Sequence, residues 1–135
     1  MKIQILFLLL ISFAAQAAPG CPQAEEGAKS IYKKEFPDVS KSDINVNELP
    51  VAQGQLFKVD HPDTCGMRGC EFILAALNKD KCLVLSFSGF GRIKALKKGD
   101  FSSFKYVVKR TGVDGPTPAK SFQLNADTGV FSEVK

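Results

Sequence analysis

One histidine, His61, serves the whole 135-residue chain, and neither a Gly-x-Ser-x-Gly elbow nor a Cys-x-x-Cys pair occurs in it. Any His-dependent mechanism would therefore have to run through His61. Its neighbours Pro62 and Asp63 read as a turn, so a solvent-exposed turn histidine is expected rather than a general base. A Cys65–His61 nucleophile pair would need a free thiolate, which four cysteines in an oxidising compartment argue against. Asp60 and Asp63 stand too close together on a loop to serve as an acid pair. With no paired Cys-x-x-Cys knuckle, zinc is not indicated. Four residues between Cys65 and Cys70 favour a structural clasp over a reactive thiol pair. No enzyme activity, cofactor or metal is expected. After the N-terminus there is also no apolar stretch of about 20 residues that would span a bilayer, no internal repeat and no low-complexity segment.

The N-terminus carries a targeting pattern. Met1-Lys2 supplies a charged start, residues 3–13 are almost wholly apolar, and Ala15-Gln16-Ala17 has the form of a cleavage site. The expectation is a signal peptide over 1–17 and one disulfide-stabilised domain over 18–135, exported to the periplasm or secreted. Acylation of Cys21 is disfavoured: Ala18-Pro19-Gly20 lacks the usual leucine, and lipidation would leave an odd number of cysteines. Losing Lys2 takes the formal charge from +4 to +3. The basic residues are dispersed and read as a solvated face, not a nucleic-acid surface.

Three pairings of Cys21, Cys65, Cys70 and Cys82 are possible. Cys65 with Cys70 is the natural local pair, since Gly66 and Gly69 let the chain reverse tightly, and Cys21 with Cys82 remains. On the chain-entropy account the short link stabilises by roughly 2 kcal/mol and the long one by roughly 4 kcal/mol.

The spacing predicts a helix over 22–36. Pro22 suits its start, Glu25 and Glu26 its positive end, and Lys33 and Lys34 its negative end, while Pro37 stops it. The period then changes to two. Strands are expected over 43–47, 55–60, 71–77, 82–87, 104–109, 121–124 and 130–134, with 92–97 ambiguous but short enough to favour a strand. Residues 112–118 read as a loop. The fold class that follows is α+β: one N-terminal helix packed on a curved antiparallel sheet of about seven strands, with two disulfides. Whether the sheet's second face is closed by the C-terminal hairpin or by another chain stays open, as does the oligomeric state.

The run Cys65-Gly66-Met67-Arg68-Gly69-Cys70 lies between two strands. On it, residues 56–108 resemble a widespread group of exported bacterial proteins with a Cys-Gly-x-x-Gly-Cys hairpin. The resemblance implies an envelope or extracellular location and an antiparallel fold. In architecture and in its Cys-x4-Cys loop the chain is also similar to the periplasmic Ivy-type inhibitors of vertebrate-type lysozyme, although His61 precedes the loop instead of standing inside it. That likeness implies a loop entering a hydrolase cleft. From the residues themselves, a cross-linked tip carrying Met67 and Arg68 loses little entropy on binding, and a held arginine suits carboxylates. His61 and Phe90 are further candidate contacts. A non-enzymatic domain binding a protein or envelope component is expected, with inhibition of a lysozyme-like hydrolase or thiol–disulfide exchange as alternatives.

Overall fold

The computed structural model describes residues 21–66, 69–107 and 119–135. The expected signal peptide, Met67 and Arg68, Val108 and Lys109 and the 112–118 loop lie outside the described residues. Helix α1 spans Ala24–Glu35, with the two acids in its first turn and the two lysines in its last. Gly27, Ala28 and Tyr32 are its buried residues, and Ala24, Ile31 and Phe36 pack partly buried beside them. Ala24, Ala28, Ile31, Tyr32 and Phe36 are the apolar stripe that helical spacing predicts.

Eight strands follow: β1 Asn45–Leu49, β2 Leu56–Gly66, β3 Gly69–Leu77, β4 Leu83–Phe90, β5 Arg92–Lys97, β6 Asp100–Val107, β7 Lys120–Leu124 and β8 Phe131–Val134. They form two antiparallel four-stranded sheets in chain order, β1-β2-β3-β4 and β5-β6-β7-β8. The expected single curved sheet of about seven strands is thus corrected to two sheets. The division falls at Gly91, whose φ of 106° lets the chain leave β4 and restart at once as β5 in the other sheet. The first strand is also displaced from expectation, because Lys41–Asp43 form a 3₁₀ turn ahead of it.

Alternation along the strands of the first sheet builds two cores. Phe57, Val59 and Ile73 join Ala28, Tyr32, Val39 and Ile44 under the helix. Leu56, Phe72, Leu74 and Ala76 face the other way and pack with Phe104 and Phe131 of the second sheet. The first sheet is therefore covered on both faces, which is why β3 reads as an unbroken apolar run. Its second face is closed by this chain's own β5–β8.

A bulge in β4 adjusts the sides. Leu85 pairs with Ala75 and Phe87 with the adjacent Leu74, leaving Ser86 as the extra residue. Leu83 and Leu85 pack beneath the helix, whereas Phe87 lies between the sheets. Without the additional residue, strict alternation would point Phe87 at the helix. Between the sheets Phe72, Phe87, Phe104, Tyr106, Phe122 and Phe131 form one aromatic cluster, with neighbouring centroids 4.8 to 6.4 Å apart. Most of these pairs are edge-to-face, the arrangement ring quadrupoles favour, worth about 0.5–1.5 kcal/mol each beyond area burial.

Candidate functional site

The two longest strands, β2 and β3, form a hairpin whose far end is the cysteine clasp. Regular pairing runs from Leu56↔Ala76 to Asp60↔Phe72, shifts, and resumes at Cys65↔Cys70 and Gly66↔Gly69. The clasp is therefore the tip of a continuous hairpin, not a loop separating two strands. The structure contains both expected bridges, Cys65–Cys70 and Cys21–Cys82, and no cysteine is free. Cys65 and Cys70 are cross-strand neighbours with Cα atoms 3.9 Å apart. Cys21–Cys82 ties the start of the described chain to the entry of β4 across 61 residues.

Gly69 supplies the approach that closes this end. Its φ is 125°, and a Cβ there would stand 3.0 Å from the Gly91 Cα. The Gly91 N–H donates to the Cys70 carbonyl at 3.2 Å, carrying the β3–β4 contact up to the clasp.

Between the regular pairing and the clasp, His61, Pro62, Asp63 and Thr64 oppose Glu71 alone. This bulge is held by turn-type bonds: the Asp63 N–H donates to His61 Nδ1 at 3.0 Å, and the Thr64 hydroxyl donates to the His61 carbonyl at 2.8 Å. The turn chemistry expected of His-Pro-Asp is present, but the exposed histidine is not. His61 is 1% exposed, on the same side of β2 as Phe57 and Val59. Its buried Nε2 has no hydrogen-bond partner among the described residues. His61 continues the inward alternation of Phe57 and Val59, and Pro62 and Asp63 take the exposed part of the bulge.

Tyr32 braces the bulge from the helix. Its hydroxyl lies 2.9 Å from Thr64 Oγ1 and 3.3 Å from the Glu71 carbonyl oxygen. A relay therefore runs from Tyr32 through Thr64 to the His61 carbonyl. Burial raises the Tyr32 pKa above the ordinary phenol value; the Asp60 and Glu71 carboxylates add to this, against the lowering effect of the Thr64 hydrogen bond. Phe90 lies half-buried at the end of β4, opposite Glu71. The Tyr106 hydroxyl engages its backbone, as the sequence alone did not suggest. Tyr32 and Thr64 are likewise supports that spacing could not reveal: Tyr32 reads as one more residue of an apolar stripe.

Two hollows lie elsewhere. One of about 340 Å³ beside α1 is lined by Pro22, Ile31, Leu83 and the Cys21–Cys82 bridge; the other, of about 300 Å³, sits among the Gln53–Gln55, Asn78–Lys81 and Ala126–Asp127 turns. Among the described residues no three His, Cys, Asp or Glu side chains gather as a metal site, and no helix is long and apolar enough to cross a membrane. The arrangement is that of a braced, cross-linked hairpin tip on an α+β scaffold. Comparison with protein-family models, curated proteins and solved structures gives no match to this chain.

Proposed function

We propose that the chain is an exported, non-enzymatic binding domain that presents the clasped β2–β3 tip to a protein or another envelope component. The observation that carries this reading is the bracing of the tip. Cys65 and Cys70 are bridged in register, and Tyr32, Thr64 and the Gly91–Cys70 bond hold the bulge and clasp from both flanks. A loop whose base is clasped before binding gives up less conformational entropy on docking. Two disulfides are compatible with an oxidising compartment, and the signal-like N-terminus supports export.

The test is capture of a partner from envelope extract or host fluid by the oxidised protein, repeated with Met67→Ser/Arg68→Ala. A partner held by the oxidised native protein, and lost from a variant with an unchanged melting temperature, supports the reading. Thiol mapping that finds Cys65 or Cys70 unpaired in protein taken from the cell would overturn it, as would catalysed reduction of insulin, which belongs to a redox enzyme.

A further inference from the structure

The charge of the chain is divided between its two sheets. Residues 21–90 hold eight Lys/Arg and ten Asp/Glu, whereas residues 91–135, which contain the whole second sheet, hold nine and four. Register places part of that excess on one surface. Ile93, Phe104, Tyr106 and Phe122 point into the intersheet core, so their strand neighbours point outward. The outward rows are Arg92↔Val107, then Lys94↔Lys105↔Ser121↔Val134, then Ser103↔Gln123↔Ser132. No Asp or Glu stands in these rows. Two lysines directly opposite each other repel, a cost that nothing in these rows offsets. Of the large apolar side chains that are exposed, Leu96 at 48%, Val107 at 38% and Val134 at 49% lie on the same strands.

We propose that this outer face of β5–β8 docks the protein on an anionic phospholipid surface, a contact that does not depend on the role of the clasped tip. Charge complementarity sets the sign: Arg92, Lys94 and Lys105 gain from a negative plane what they lose facing one another. The type of surface follows from what stands between them. Protein-binding centres are built on aromatic anchors, and the aromatic rings of the second sheet's core are turned inward. What remains outside is cationic, polar and aliphatic, on a face that no other described residue covers. That combination suits headgroups and the upper acyl region, which impose no shape of their own.

The test uses oxidised protein with whatever N-terminus the producing cell leaves on it. Any apolar leader would bind neutral and anionic vesicles alike, so the ratio between the two is what counts. Vesicles of phosphatidylcholine with about 30 mol % phosphatidylglycerol are expected to bind at least about tenfold more tightly than phosphatidylcholine alone, and the preference to collapse by about 300 mM salt. Lys94→Ser/Lys105→Ser is expected to lower that binding about tenfold. Lys94→Arg/Lys105→Arg retains it, and Lys34→Ser/Lys79→Ser, an equal charge loss on the other half, changes it less than about twofold. Leu96→Ser/Val134→Ser is expected to weaken vesicle binding but not binding to soluble polyglutamate. The proposal is overturned by the absence of a phosphatidylglycerol preference. It is overturned equally if both charge-loss pairs have the same effect, if the aliphatic pair has none, or if the face proves to mediate association with a second copy or an acidic protein instead.

Discussion

The Tyr106 hydroxyl stands 2.7 Å from both the backbone nitrogen and the backbone oxygen of Phe90, receiving a hydrogen bond from one and donating to the other. Tyr106 belongs to β6 and Phe90 ends β4, so one phenol joins the two sheets where the chain crosses between them. Gly91 follows Phe90 and bonds to Cys70, so this staple and the clasp share a boundary. Tyr106→Phe keeps the ring in the aromatic cluster while removing both bonds. It is expected to cost about 1–3 kcal/mol and to raise amide exchange at Phe90 and Gly91 more than at Ala75 or Ala76. Uniform acceleration across the first sheet would mean that the hydroxyl contributes only to global stability.

Gly89 and Gly66 differ in what a methyl group would meet. A Cβ on Gly89 would lie 2.7 Å from the Phe87 ring and about 3 Å from the rings of Tyr106 and Phe72, whereas one on Gly66 meets nothing within 4 Å among the described residues. Gly89→Ala is expected to destabilise by about 1–3 kcal/mol, since the cluster must shift to admit it. Gly66→Ala is expected to be neutral or to stabilise by up to about 1 kcal/mol, by restricting the unfolded chain. Denaturant titration of both variants checks the contrast, and equal effects would contradict the packing described.

Much of this was legible in the sequence, and the exceptions have physical causes. The helix, the strand pattern and the local cysteine pair follow from period, the charges at the helix ends, Pro37 and the glycines. The two-sheet division does not, because the break at Ser88-Gly89-Phe90-Gly91 carries no sign that the next strand joins another sheet; long-range packing of Phe72, Leu74 and Phe87 on Phe104 and Phe131 defines the layers. The Ser86 bulge is equally silent, since one extra residue in an apolar run leaves the composition unchanged. At the candidate site, His-Pro-Asp announces a turn but not its orientation. The side on which His61 falls is set by the alternation continuing from Phe57 and Val59, a signal that was present and that the turn residues obscured.

Tyr32 gives a pH dependence with a definite sign. Its pKa is raised in the folded protein, chiefly by burial. The unfolded chain therefore begins to lose this proton at a lower pH than the folded one. Stability is fully present below the ordinary phenol value near 10 and falls as pH rises from there through the folded pKa. Tyr32→Phe removes that slope. Urea midpoints of the native protein should decline more steeply than those of the variant above about pH 10, while near neutrality the variant should be less stable through loss of the Thr64 contact. Parallel curves would show that Tyr32 does not titrate differently on folding.

The two bridges should differ in their effect on folding. Cys21–Cys82 spans 61 residues and Cys65–Cys70 spans 5. On the loop-entropy account, Cys21→Ser/Cys82→Ser costs about 4 kcal/mol and Cys65→Ser/Cys70→Ser about 2 kcal/mol. Thermal melts rank them, and the short-bridge variant should still unfold in one cooperative step. If the order were reversed, the clasp would have to contribute by supporting the Tyr32–Thr64 bulge instead of by shortening the unfolded chain.

A narrower form of the proposed function makes the clasped tip an inhibitor of a wall-cleaving hydrolase. Arg68, between Gly66 and Gly69, carries a guanidinium suited to carboxylates in pairs, and glycosidases of the lysozyme kind work through two carboxyl groups flanking the scissile bond. Oxidised protein at about micromolar concentration is expected to inhibit such an enzyme, and Arg68→Ala to weaken inhibition by about ten- to a hundredfold. Arg68→Lys, which keeps the charge but not the fork, should fall between them. If the tip docks as a closed unit, reduction should abolish inhibition in parallel with loss of the Cys65–Cys70 bridge. Activity that persists undiminished across several lysozyme classes would eliminate this narrower form, and the broader binding role would then stand or fall on the capture experiment.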